Sequence, residues 1–367
     1  MWMIRYTCPN YFPDANKELT MKWFKLLFIS ALFVACGSDG DNAVGWDEED
    51  LIEEIEEDSI GADHAFGIRH DRTLAEYEAI ARNSAPYDTA DHPDFAPVVA
   101  FIYGSDGDYS ASGTLIDPYW ILTAGHNFFE AGEQDEPEQP ATITVLLGAD
   151  PNTPLSMHTV AELVFYPSWL EDDDWWLGSD LCLVRPAEPI TSVEPARINT
   201  SLDEPIGSIS WICGFGDYSE QEGQDPDVLS KRHAMQNTLD RKVDYIPYVS
   251  GGVDYSGGLL AFDFDAPDGK INSLGDGLVN EEEALLGPGS SSAQALPFEG
   301  STVEGDSGGP LFVRINGVWK LAGVLSGGVS DPIEDHLDST YGDISVFTRV
   351  ATHAEWILSV TGLRSPS

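Results

Sequence analysis

The chain has 367 residues, 63 acidic and 18 basic, for a formal net charge of −45. That balance speaks against nucleic acid and anionic membrane surfaces as electrostatic partners, since their phosphates would be repelled; it fits solubility or a saline setting. A hydrophobic fraction of 42% is enough for a full core, and the length allows one large all-β domain or two smaller ones.

Residues 1–36 read as a leader. Met21-Lys22-Trp23-Phe24-Lys25 is a better start than Met1, because two lysines precede the apolar run Leu26 to Ala35 and then Cys36. A charged head, a short apolar stretch and a small-residue boundary make a secretory signal, and the run is too short to span a bilayer as a helix. Leu32 to Cys36 resembles a bacterial lipobox, which would make Cys36 the lipid-bearing first residue of the exported protein. Residues 1–20, with Cys8, fit neither signal nor domain and point to a start assigned too early.

Residues 37–67 read as an acidic linker or pro-segment. Gly37 to Asn42 is a polar tether, and Asp47 to Asp58 places Leu51, Ile52 and Ile55 at helical spacing amid like charges, a pattern of solvated linkers. His64 and His70 read as linker histidines, not as a metal pair.

From residue 68 onward, short apolar runs bounded by Gly, Pro and Asp predict strands over Val98–Tyr103, Ala141–Leu147, Thr159–Phe165, Ser208–Cys213, Leu311–Ile315 and Val318–Leu325. Many short strands with turn signals imply a sandwich or barrel. A single helix is predicted near the end, Thr352 to Val360, with Ile357 and Val360 on one side.

Three motifs carry chemistry. Leu122-Thr123-Ala124-Gly125-His126 ends an apolar run on an imidazole, whose ordinary pKa suits proton transfer near neutrality. Ser179-Asp180-Leu181-Cys182-Leu183 opens an apolar strand on a carboxylate that burial would oblige to find a partner; neighbouring Asp172, Asp173 and Asp174 read as solvated. Gly305-Asp306-Ser307-Gly308-Gly309-Pro310 sets a serine on a tight turn whose backbone N–H groups can converge beside the hydroxyl.

The order His, Asp, Ser, with Gly113-Thr114-Leu115-Ile116 before Tyr119 to His126 and Ser345 to Val350 before Glu355-Trp356-Ile357, resembles the trypsin/chymotrypsin-type (S1) serine endopeptidases over roughly Phe95 to Leu363. The resemblance implies an all-β fold of two six-stranded antiparallel barrels with a short C-terminal helix. Its active site would join His126 as general base, Asp180 as its orienting carboxylate and Ser307 as nucleophile. The N–H groups of Gly305 and Ser307 would form the oxyanion hole.

By the same resemblance, Ser326-Gly327-Gly328 is the substrate-binding edge, with Gly327 where a tryptophan is usual. Ser301 sits at the pocket base in place of the aspartate that selects Arg or Lys. With Thr302, Gly328 and Ser345 it implies an open, uncharged pocket. Family members often need a freed amino terminus to pair with the aspartate before the nucleophile, here Asp306, and Ile68 is the candidate first residue. Asn127 stands where a cysteine usually follows the catalytic histidine, and Val303 replaces another. Cys182 and Cys213 could pair after export or remain buried thiols.

Gly214-Phe215-Gly216 resembles the family's opening of the second barrel, and the excess length around residues 217–300 reads as enlarged surface loops. Asp263 to Gly269 lacks EF-hand spacing and reads as strand plus turn. No cofactor or metal is called for. The expected partners are protein or peptide substrates, with membrane attachment through a lipidated Cys36 at the outer membrane or cell surface, or secretion. The alternative reading is a catalytically silent relative acting as a surface binding protein; an esterase using the same triad is a further one.

Overall fold

Apolar residues at alternate positions cannot share one face of a helix but do share one face of a strand. The computed structural model describes residues 66–83, 91–104, 109–130, 136–171, 175–218, 229–243, 258–275, 286–287, 289, 291–329 and 339–364. Asp63–Ser367 form one compact unit. The leader with Cys36 and all but the end of the acidic linker lie outside the described residues.

The first six strands are β1 (Val98–Tyr103), β2 (Tyr109–Asp117), β3 (Trp120–Thr123), β4 (Thr144–Leu147), β5 (Ser156–Phe165) and β6 (Cys182–Pro186). They close into a barrel in the order β1-β2-β3-β6-β5-β4. Val99 and Phe101, Val145 and Leu147, and Cys182 and Val184 meet in one buried cluster, each pair two positions apart. Burying a side chain of this size contributes about 1.5–3 kcal/mol.

The second sheet comprises β7 (Ile209–Gly214), β8 (His233–Thr238), β9 (Arg241–Val243), β10 (Leu259–Asp263), β11 (Pro310–Ile315), β12 (Val318–Val329) and β13 (Ile344–Arg349). Its order is β8-β7-β11-β12-β13-β10-β9, so β8 and β9 lie at opposite edges. Only Leu239 and Asp240 separate them in the chain. The Leu239 N–H donates to Ser208 O at 2.9 Å and the Asp240 N–H to Ala261 O at 3.1 Å. One bent strand thus passes from the β7 edge to the β10 edge and closes the sheet. The expected second six-stranded barrel is present, with one strand kinked into two.

Between the barrels, Val98, Leu122 and Leu183 of the first pack with Trp211, Phe312 and Leu321 of the second in a shared core that also takes Ile357. The terminal helix, α3 (Ala354–Thr361), follows a 3-10 turn over Val350–His353, so regular α geometry starts two residues later than the pattern predicts. Among the described residues two further helices were not anticipated. One, α1 (Leu74–Ala81), buries Tyr77, Ile80 and Ala81. Its signal was available: Glu76 reaches back to accept the Thr73 N–H at 3.0 Å, half of a capping box. The other, α2 (Pro167–Glu171), buries Trp169.

Cys182 and Cys213 are both buried free thiols, in different barrels. Of the segment expected to form enlarged loops, 219–228, 244–257, 276–285, 288 and 290 lie outside the described residues. The rest supplies β8, β9, β10 and the approach to the nucleophile turn. Within it, Asp268 faces Lys270 Nζ at 2.5 Å, Asp263 accepts the Leu274 N–H at 2.9 Å, and no three described side chains form a group that could hold a metal.

Candidate active site

Strand register brings the histidine and aspartate motifs together. β3 pairs antiparallel with β6, and Thr123 lies opposite Cys182. His126 leaves the end of β3 and Asp180 enters the start of β6, so both turn off the barrel at one corner. Asp180 Oδ1 accepts the His126 backbone N–H at 2.9 Å, and Oδ2 lies 2.6 Å from Nδ1 of the ring. Asp180 is fully buried, whereas the His126 side chain keeps 13% of its surface. Burial by itself lowers the imidazole pKa; the charge of Asp180 and its hydrogen bond outweigh that and leave it above its ordinary 6.5.

The serine turn is built on backbone that only glycine adopts cheaply. Gly305 has φ +92° and Gly308 φ +80° on either side of Asp306 and Ser307. The Asp306 N–H donates to Val303 O at 3.1 Å and the Gly309 N–H to Asp306 O at 2.7 Å. Among the described residues neither the Gly305 nor the Ser307 N–H donates to a protein acceptor.

A closed circuit of hydrogen bonds fixes this turn against the His–Asp pair. The Ser307 carbonyl accepts the Ser112 N–H at 2.8 Å and the Asn127 side-chain amide at 3.1 Å. Asn127 is the residue after His126. The Gly308 N–H donates to Leu325 O at 2.9 Å, and the next residue, Ser326, donates its hydroxyl to Asp180 Oδ2 at 2.6 Å. Asn127, standing where the resemblance leads one to expect a cysteine, thus ties the histidine segment to the serine turn by polar contacts.

Of the expected substrate-contacting residues, Ser301, Thr302 and Ser345 come together. The Thr302 and Ser345 hydroxyls are 3.0 Å apart and those of Ser301 and Ser345 3.4 Å. On β12, Gly327 and Gly328 pair with Val346 and Ser345 of β13, after a register shift between Leu325 and Gly327. That irregularity turns Ser326 inward, onto Asp180.

The Trypsin family model matches residues 87–245. The chain is also similar to transmembrane protease serine 11C of Mus musculus, 25% identical over 260 residues, which cover 70% of this chain and 48% of that protein. Over these residues the chain is similar to the trypsin family of serine proteases. It spans about half the length of the curated relative it matches.

Asp306 is buried. Oδ1 accepts the Gly216 N–H at 2.9 Å and faces His233 Nε2 at 3.3 Å; Oδ2 accepts the Tyr218 hydroxyl and the Val303 N–H, the latter at 3.2 Å. The segment expected to supply a new amino terminus is held by backbone hydrogen bonds. The Gly67 N–H donates to Ser339 O at 2.6 Å, its carbonyl accepts the Ser301 N–H at 2.9 Å, and Ile68 bridges to Gly300. Sequence reasoning missed Ser112, Tyr218 and His233. Tyr218 follows the Gly214-Phe215-Gly216 motif closely enough to have been found; nothing local marks the other two.

Proposed function

We propose that the chain is a serine endopeptidase that hydrolyses peptide bonds through His126, Asp180 and Ser307 by an acyl-enzyme route. The observation that carries this reading is the His126–Asp180 contact at 2.6 Å, tied by hydrogen bonds through Asn127 and Ser326 to the turn that bears Ser307. Ser307 Oγ attacks the peptide carbonyl while His126 takes its proton and returns it to the leaving amine. Asp180 holds the ring's Nδ1–H and stabilises the imidazolium. The Gly305 and Ser307 N–H groups receive the oxyanion, where losing one donor typically costs on the order of a hundred- to a thousand-fold in rate. Water then hydrolyses the acyl-enzyme.

The substrate backbone adds along Ser326-Gly327-Gly328 as an extra strand, a recurrent mode of peptide capture. With Ser301, Thr302 and Ser345 around the pocket and no carboxylate among them, the chain does not select Arg or Lys at the cleaved bond. Met21 to Cys36 directs export, with Cys36 as the lipid anchor, and residues 37–67 tether the protease domain. Among the described residues no helix is long and apolar enough to cross a membrane.

The test is labelling of the full chain by a fluorophosphonate, followed by peptide mapping, with Ser307→Ala as control. A single adduct on Ser307 supports the triad. No adduct on correctly folded chain overturns it in favour of a silent surface-binding relative. Mapping also reads the mature amino terminus and any lipid on Cys36.

A further inference from the structure

A buried carboxylate is costly unless its lone pairs are met, and the full accounting at Asp306 is informative. Its two oxygens face four donors: the Gly216 and Val303 N–H groups, the Tyr218 hydroxyl and His233 Nε2. Burial, then the charge of Asp306, pushes the Tyr218 phenol well above its usual value, which keeps it a donor. His233 lies with Nδ1 3.0 Å from Lys231 O and Nε2 3.3 Å from Asp306 Oδ1, so its ring bridges the Lys231 carbonyl and the carboxylate.

On the side of Gly67, Gly214 and Gly216 the surroundings are also filled. A Cβ placed on Gly214 would stand 2.1 Å from Asp306 Oδ1, and one on Gly216 would stand 2.8 Å from Asp306 Cγ. The intact backbone at Gly67 lies against the Tyr218 ring, where an added Cβ would come within 2.3 Å. An inserted ammonium would therefore meet a carboxylate already saturated and, on the side of Gly67, Gly214 and Gly216, a space already occupied. Yet the nucleophile turn is formed, with its Gly305 and Ser307 N–H groups unengaged by protein acceptors among the described residues.

We propose that Tyr218 and His233 are positioning residues that lock Asp306 from within the chain, so that the serine turn is set without a freed amino terminus and the uncut chain is already a working protease. This rests on the serine-protease reading above. It replaces the expectation that Ile68 must be released to pair with Asp306.

The test uses the full chain, purified uncut, with peptide mapping to establish continuity through Gly67–Ile68. Its rate of Ser307 labelling by a fluorophosphonate is compared before and after light cutting near residues 66–68 by a second protease. The expected result is labelling of the uncut chain within about two-fold of the cut form. Tyr218→Phe, which keeps the ring that packs on Gly67, should slow labelling of the uncut chain roughly ten-fold or more, as loss of a hydrogen bond to a charged group does. His233→Leu should do the same and His233→Gln, which retains a donor, should restore most of the rate, all at closely similar melting temperatures. Labelling that appears only after cutting, or Tyr218→Phe and His233→Leu chains that react like the parent, overturns the proposal while leaving the protease reading intact. Labelling in neither form overturns the protease reading, and this one with it.

Discussion

The Ser326 hydroxyl and His126 Nδ1 meet the same oxygen of Asp180, each at 2.6 Å. The carboxylate is so buried that it would otherwise meet only the backbone and ring of His126, and the Ser326 hydroxyl disperses its charge further. Ser326→Ala should lower kcat/KM by roughly ten-fold, the scale of one hydrogen bond to a charged group. With that donor gone, Asp180 pulls harder on the imidazole, so the acidic limb of the pH profile should move to higher pH. An unchanged profile would assign Ser326 to substrate contact alone.

In the proposed mechanism His126 acts as a base only when neutral, and its pKa is raised above 6.5. Activity should therefore climb with pH through a midpoint above 6.5 and then level off. Asp180→Asn removes the attraction but keeps the burial, which favours the neutral ring; the midpoint should fall, while kcat drops by about four orders of magnitude. Both follow from pH–rate curves on one peptide substrate.

Arg349 and Glu204 form a fully buried ion pair, with Arg349 Nε 3.1 Å from Glu204 Oε2 and Asn199 donating to Oε1 at 2.9 Å. Arg349→Met leaves a buried carboxylate without its counter-charge and should destabilise the protein by about 3–5 kcal/mol in denaturant unfolding. Adding Glu204→Leu should recover much of that loss. A single variant as stable as the parent would show that the pair is dispensable.

Four carboxylates gather beneath the second barrel. Burial foremost, then the charge of Asp263, pushes Asp240 up to about 9; burial likewise raises Asp265 to about 9 and Glu299 to about 8. Such groups hold protons in the folded chain that the unfolded chain releases near pH 4. Folding takes up protons between about pH 4 and 9, so this contribution to stability falls as pH rises through that window. Melting temperature should decline from pH 5 to pH 9. Asp265 Oδ1 is buried with no hydrogen-bond partner among the described residues. Asp265→Asn should therefore flatten the decline and raise the melting temperature at pH 8 by a few degrees.

Cys182 and Cys213 lie in separate barrels, and burial raises both thiols above their ordinary range. Reductant should leave the melting curve unchanged. Mapping should find both thiols alkylated only after unfolding; a disulfide linking them would contradict the fold.

The sequence by itself determined the strands, the order of the three motifs and the glycines of the serine turn. Alternation of apolar residues, glycine-only backbone and turn chemistry are properties of neighbours in the chain. It even singled out Asp180 among 63 acidic residues, because a carboxylate heading an apolar strand must find a partner. Helix α1 was missed because its few buried residues leave a weak stripe, and only the Thr73–Glu76 cap marked it.

What only the tertiary structure decided is where side chains from remote strands converge. That the Ser326 hydroxyl meets Asp180 follows from the register shift in β12, which the sequence pattern did not show. Asn127 read as a lost cysteine until its amide was found on the Ser307 carbonyl. The partners of Asp306 lie 88 and 73 positions away, at Tyr218 and His233. Register, strand bending and side-chain direction set such meetings, and no local pattern encodes them.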